Sequence, residues 1–295
     1  TGVKKMFSNR ELAAVMDGNG YQFSSANSIN IGRLVPQIVY YVKAYADLVK
    51  KGAVKAGDPM NVVVPTGNFG NILAAFYAKQ MGIPVKTLIC ASNDNKVLYD
   101  FFRTGIYDKK REFILTSSPS MDILISSNLE RLIYLSTGCD AEANRSLMEQ
   151  LNTQGSYEVT ETMKEAMKDF TGGFATEAEN AAEIKKVYED TGYVIDTHTG
   201  VASAVYRAYA EKTGDTTPTV IASTASPYKF SHSVMEAIRG DEGSKDEFAI
   251  IDDLCSVSGV KIPAAVEEIR NAEIRHKRES DVEDMEKTVA EILGL

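Results

Sequence analysis

Apolar positions change their spacing several times along the chain, and each change marks a new element. Val3, Met6, Phe7, Leu12, Val15 and Met16 recur at helical intervals. Tyr21–Phe23 is a short strand candidate. A long helical pattern then runs from about Ile29 to Lys51, with Ser28 placed to cap it and Pro36 predicting a kink or a late start. At Asn61–Val64 the pattern gives way to an unbroken β-branched run, which reads as a buried strand. Pro65–Gly70 is a turn in which Gly67 and Gly70 supply backbone freedom, and a helix follows from Ile72 to near Gly82. Lys86–Ala91 is the next apolar strand. Strand, helix, strand in this order predicts a βαβ unit and a parallel sheet. In such sheets ligands sit beyond the carboxyl ends of the strands, where residues 65–71 and 91–95 fall. The polar run Ser92–Asn95 predicts a cap for the next helix, which stops at Gly105.

Residues 111–117 read as extended. From Pro119 to Gly192 the pattern is helical without a strand; Ser118 and Pro119 open a helix whose apolar face runs to Ile133. Sheet character resumes at Tyr193–Ile195, and Val201–Lys212 is a helix. Thr219–Ser223 is a further strand, and a helix lies around Phe230–Arg239. Residues from Asp246 onward read as helices. The predicted fold class is α/β, an open and mostly parallel sheet with helices on both faces and an inserted helical subdomain. The predicted boundaries are 1–117 and 193–240 for two parts of one α/β domain, 118–192 for the helical insertion, and 241–295 for a C-terminal helical segment.

Composition narrows the function classes. The chain has 295 residues, 44% apolar and 25% charged, with a net charge of −9. No basic patch marks a nucleic-acid footprint. No run of apolar residues is long enough to span a membrane, and no secretory signal opens the chain, so a cytoplasmic location is expected. The chain starts at Thr1 without a Met, which predicts a processed or truncated product. Cys90, Cys139 and Cys255 are scattered and form no CxxC pair, so neither a disulfide framework nor a metal site is expected.

The candidate chemistry centres on residues 61–71, NVVVPTGNFGN. A strand, a Gly-containing loop and a helix N-terminus together present inward N–H groups and partial positive charge, which suits a phosphate. The run is neither a P-loop nor the dinucleotide fingerprint, and an ordinary strand-to-helix turn would look the same locally. Asn27, Asn30 and Arg33 gather polar groups at a helix start, readable either as capping with a solvated Arg or as a ligand-facing cluster. Asp196 and His198 stand two apart and would not share a helix face, so His198 is expected to be a hydrogen-bonded structural residue. His232 and His276 have no partners at metal-ligand spacing.

PTGNFGN resembles the cofactor-phosphate loop of threonine synthase, a pyridoxal phosphate (PLP) enzyme of the tryptophan synthase β-like fold, PLP fold type II. The stretches at Asn27–Tyr41, Ser92–Tyr107, Ser118–Leu132, Ile195–Tyr206 and Ser223–Phe230 are similar to the same family in order and spacing. The resemblance implies PLP as cofactor, with Gly67, Asn68, Phe69, Gly70 and Asn71 as its phosphate cradle and Thr224 bonding the pyridine nitrogen. Where Asn71 stands, the family often has an acidic residue. It implies conversion of O-phosphohomoserine and water to L-threonine and phosphate by a carbon–oxygen lyase, as a monomer or homodimer. The polar cluster Asn27, Asn30 and Arg33 is then a candidate for the substrate. No lysine here has the Phe-Lys-Asp-like setting of the family's Schiff-base lysine, so the chain alone is expected to be inactive, with no catalytic residue of its own. A non-catalytic anion-binding module and a PLP-dependent serine/threonine dehydratase are the alternatives, the latter disfavoured by the SPSMDI region.

Overall fold

The computed structural model describes residues 2–240, 243 and 245–295. They form two compact units, a large one spanning 28–267 and a small one built from both ends, up to Asn27 and from Glu268. The predicted boundary at 240/241 therefore adjoins residues outside the described set. In the small unit the helices Gly2–Ser8, Arg10–Gly18 and Met285–Leu293 come together. Asn9 caps Arg10–Gly18, and its amide donates to Glu286 at 3.1 Å. Tyr21–Phe23 joins no strand.

The strands of the large unit are β1 (Met60–Pro65), β2 (Val85–Ser92), β3 (Ile106–Asp108), β4 (Ser156–Glu158), β5 (Phe170–Phe174) and β6 (Thr219–Ile221). A four-stranded sheet has the order β5-β2-β1-β6, and every pair in it is parallel. The three strands expected from the sequence therefore do share one parallel sheet, with Val63 opposite both Ile89 and Ile221. β3 and β4 form a separate antiparallel pair.

Alternation along the strands divides the core. Met60, Val62, Val64, Leu88 and Cys90 face the helices Ile38–Lys50, Gly70–Gln80 and Val97–Thr104. Val63, Ile89 and Ala91 face the helix Thr197–Thr213 through Val201, Ala202 and Val205. Burial on both faces explains why β1 reads as a continuous apolar run. Cys90, buried in β2, has its thiol pushed up to about 12 by that burial. A second core joins the helices Glu177–Thr191, Ser231–Arg239 and Glu247–Ser258.

Several expectations need correction. The stretch 118–192 is not purely helical, because it supplies β4 and the edge strand β5. Gly172 and Gly173 lie inside β5. A Cβ on Gly172 would come within 2.9 Å of the Tyr99 backbone, and one on Gly173 within 2.4 Å of Val205. The glycines let helices close on this strand from both sides. Residues 111–117 form no strand; the N–H groups of Ile114, Thr116 and Ser117 bond side chains of Asn95, Asp122 and Glu177 instead. Tyr193–Ile195 likewise joins no sheet. Pro119–Met121 is only a 3-10 turn, and the helix there begins at Leu129. The polar run after β2 does not cap Val97–Thr104; the Asn93 and Asn95 amides donate to Asp122 at 2.8 and 2.9 Å. The long helix breaks at a 3-10 turn holding Pro36, and Asn30, not Ser28, caps its first segment Ile31–Leu34 by accepting the Gly32 N–H at 2.9 Å.

Asp215 ties the amino edge of the sheet. Its carboxylate accepts from Asn61 of β1 (3.1 Å), Lys86 of β2 (3.0 Å), Tyr209 (2.9 Å), and the backbone and hydroxyl of Thr217 (3.0 and 2.6 Å). The Thr217 bonds first, then that from Lys86, hold the carboxyl far below the usual range. Depression of the folded value means this stabilisation is complete above the unfolded value of about 3.9 and is lost as pH falls below it. Asp215→Asn is expected to cost about 1–2 kcal/mol at neutral pH. Urea unfolding of both proteins from pH 7 down should show the gap closing below about pH 4; a gap independent of pH would contradict this role.

Candidate active site

Because β1, β2 and β6 are parallel, the loops that follow them emerge at one edge. The loop after β1 carries Gly67–Asn71 and the one after β6 carries Thr224. Asn71 and Thr224 line a common cavity of about 430 Å3 with Tyr40, Tyr41 and Ser223. Of the predicted cradle only Asn71 lines this cavity; Gly67, Asn68, Phe69 and Gly70 lie at the same sheet edge but are not among its lining residues.

The local conformation of the loop differs from expectation. The residue at positive φ is Phe69 (φ 65°), and neither Gly67 nor Gly70 takes such a value. A left-handed non-glycine costs roughly 1–2 kcal/mol. Burial of the ring offsets it: Phe69 is 1% exposed and lies 5.7–5.9 Å from Phe170 and Phe102. The glycines serve close approach. A Cβ on Gly67 would lie 2.2 Å from the Ser120 carbonyl oxygen, and one on Gly70 2.5 Å from Ser28 Cβ.

The segment 118–128 wraps the loop and satisfies its carbonyls. Ser126 Oγ donates to the Gly67 carbonyl (2.7 Å), and the Asn128 backbone and amide both donate to the Asn68 carbonyl (3.1 and 2.7 Å). Arg131 in turn bonds Asn128 and the carbonyls of Ser28 and Ile29. By contrast, the N–H groups of Gly67, Asn68, Phe69, Gly70 and Asn71 find no protein acceptor among the described residues. The loop presents donors at the start of the helix Gly70–Gln80, where the helix dipole also favours an anion.

The side chain of Asn71 is fixed from behind, since the Tyr41 hydroxyl donates to its Oδ1. Burial pushes the Tyr41 phenol well above its usual range, so it stays protonated and can donate this bond. Thr224 is exposed. No lysine lines the cavity that Thr224 and Asn71 share. The chemistry on offer is a row of N–H donors suited to an anion, with the Thr224 hydroxyl at the same sheet edge.

Of the remaining candidates, Asn30 is a helix cap and Arg33 is exposed. Asn27 belongs to the small unit, where its N–H reaches Ser25 Oγ at 3.2 Å. Asp196 and His198 do pair, contrary to the helix-face argument. Asp196 is the N-cap of Thr197–Thr213, with ψ 168°, which turns its carboxylate back over the first turn to Nδ1 of His198 at 3.1 Å. Burial disfavours the charge on Asp196, but the bonds from His198 and Thr199 outweigh it and hold the carboxyl low. His198 is hydrogen-bonded through both ring nitrogens, as expected. Tyr41, Ser120, Ser126 and Asn128 were not singled out as site residues; the last three lie in a stretch whose helical reading hid their loop role. Among the described residues no cluster of His, Cys, Asp and Glu could hold a metal. No described helix is long and apolar enough to cross a membrane.

Gly67→Ala should be costly because the neighbour its methyl group meets is backbone. An overpacking loss of about 1–3 kcal/mol is expected by urea unfolding. A neutral substitution would show that Ser120 yields freely and does not hold the loop.

The family model described as threonine synthase, C-terminal, matches residues 199–292. Human threonine synthase-like 1 is 43% identical over 242 residues, covering 81% of this chain and 32% of that protein. The crystal structure of PLP-bound threonine synthase from Brucella melitensis superposes with a TM-score of 0.72 at 38% identity, over 88% of this chain and 52% of that one. Yeast threonine synthase gives 0.78 at 30% identity, over 99% of this chain and 56% of that one. The chain thus spans about a third to a half of the length of its relatives. Over the residues it spans, it belongs to the threonine synthase family.

Proposed function

We propose that the chain forms the phosphate-binding and ring-binding side of a PLP-dependent threonine synthase site, acting on O-phosphohomoserine and water to give L-threonine and phosphate. The row of unpaired N–H groups from Gly67 to Asn71, at the same sheet edge as Thr224, carries the reading. When bound, PLP supplies an electron sink for bond changes next to the substrate's α-carbon. This chain's residues anchor and orient. The loop N–H groups and the helix N-terminus hold the cofactor phosphate. The Thr224 hydroxyl would be the partner of the ring nitrogen, a neutral group in place of a carboxylate. Tyr41 fixes Asn71 beside the cavity. The base that moves the α-proton is not among the residues lining the cavity, so the chain by itself binds and does not turn over. Ile31, Val35, Val39 and Val42 form an exposed apolar stripe at helical spacing beside the cavity residue Tyr40, a surface suited to cover by further protein.

The test is to mix the purified chain with PLP, reduce with borohydride, digest, and assay O-phosphohomoserine turnover in parallel. The expected outcome is no stoichiometric pyridoxyl-lysine and no turnover, with PLP and inorganic phosphate competing for one site. A single stoichiometric pyridoxyl-lysine together with turnover would show that a lysine of this chain is the base. Absence of any phosphate or PLP binding would favour a loop that is only a structural turn.

A further inference from the structure

His198 is 2% exposed and Asp196 is fully buried, yet neither lines the cavity shared by Asn71 and Thr224. Both nitrogens of the His198 ring are engaged. The Ser120 main-chain N–H can only donate, so Nε2, which it reaches at 3.1 Å, is the bare nitrogen. Nδ1 then carries the hydrogen and directs it to Asp196 Oδ1 at 3.1 Å. Phe230 packs on the ring at 4.8 Å between centroids. Ser120 is the residue whose carbonyl presses on Gly67, at the place a Cβ would occupy. On its other side the same group reaches the β6 loop: Thr199 donates to Asp196 Oδ2 and lies 3.3 Å from Ser223 Oγ, next to Thr224. One buried cluster at the start of Thr197–Thr213 therefore reaches the β6 loop directly and the Gly67 loop through Ser120.

We propose that His198, oriented by Asp196, is a positioning residue: by holding the Ser120 N–H it seats the Ser120 carbonyl against Gly67 and keeps the loop's N–H groups convergent on a phosphate. This rests on the reading of residues 67–71 as a phosphate cradle. The two bonds of the ring can be removed separately. In His198→Asn the amide nitrogen replaces Nδ1 and keeps the bond to Asp196 but cannot reach Ser120. In His198→Gln the amide oxygen replaces Nε2 and accepts from Ser120, while the donor to Asp196 is lost. Each variant loses one buried hydrogen bond, so a purely structural residue would give two similar losses in Tm with any loss of binding following them.

The experiment measures inorganic phosphate binding to the full chain by calorimetry, Tm for each protein, and hydrogen exchange of the Ser120 amide. The expected result is that both variants lose Tm, while His198→Asn alone weakens phosphate by about tenfold and speeds Ser120 exchange. His198→Gln should restore most of the affinity. Equal weakening in the two variants, in step with Tm, would overturn the proposal, as would wild-type affinity in His198→Asn. Failure of the wild-type chain to bind phosphate would instead remove the cradle reading and the proposal with it.

Discussion

The N–H groups of residues 67–71 are the constraint around which the large unit is built. A helix that starts straight after a strand leaves several donors unpaired, and here the surroundings keep them so. The neighbouring segment 118–128 brings donors of its own, Ser126 and Asn128, and these take the loop's carbonyls. Nothing in it offers an acceptor to the loop's N–H groups. The left-handed turn at Phe69 is maintained against its backbone preference by burial of the ring among Phe102 and Phe170. An edge left this polar and held this firmly is what an anion needs, since donors that are already aligned cost little to organise on binding.

The two edges of the sheet are secured differently. At the amino edge, Asp215 collects donors from β1, β2, the helix Thr197–Thr213 and the β6 approach. At the carboxyl edge the corresponding buried carboxylate, Asp196, collects His198 and Thr199, and those in turn touch the loops that line the site. The parallel register transmits one to the other. With β1 paired to both β2 and β6, the loop at residues 67–71 and the one carrying Thr224 leave the same edge of the sheet.

Much of this was legible because the strongest patterns in the chain are those of the parallel sheet. β1 and β2 are buried on both faces and so read as continuous apolar runs. β5 was hidden because it carries Gly172-Gly173, whose function is to admit two helices at close quarters; in sequence the same pair signals a stop. The loop 122–128 was hidden for a related reason. Its apolar residues sit at helical spacing, but its polar groups go elsewhere: the Ser126 hydroxyl and the Asn128 N–H bond the GNFGN loop, and the Ser126 N–H bonds the Tyr107 hydroxyl. Asp196 and His198 were judged by helix-face geometry, which does not apply to an N-cap, whose side chain folds back over the first turn. Gly67 and Gly70 serve contact distance, in place of the positive φ that glycines in a turn suggest.

The proposed function reduces to one statement, that residues 67–71 hold a phosphate group. The most direct measurement is an amide chemical-shift titration of the labelled chain with pyridoxal 5'-phosphate and, separately, with inorganic phosphate. The account predicts that both ligands shift the amides of Gly67, Asn68, Phe69, Gly70 and Asn71 most, and that only pyridoxal 5'-phosphate also shifts Thr224. Perturbations centred elsewhere, or a loop indifferent to both ligands, would contradict it.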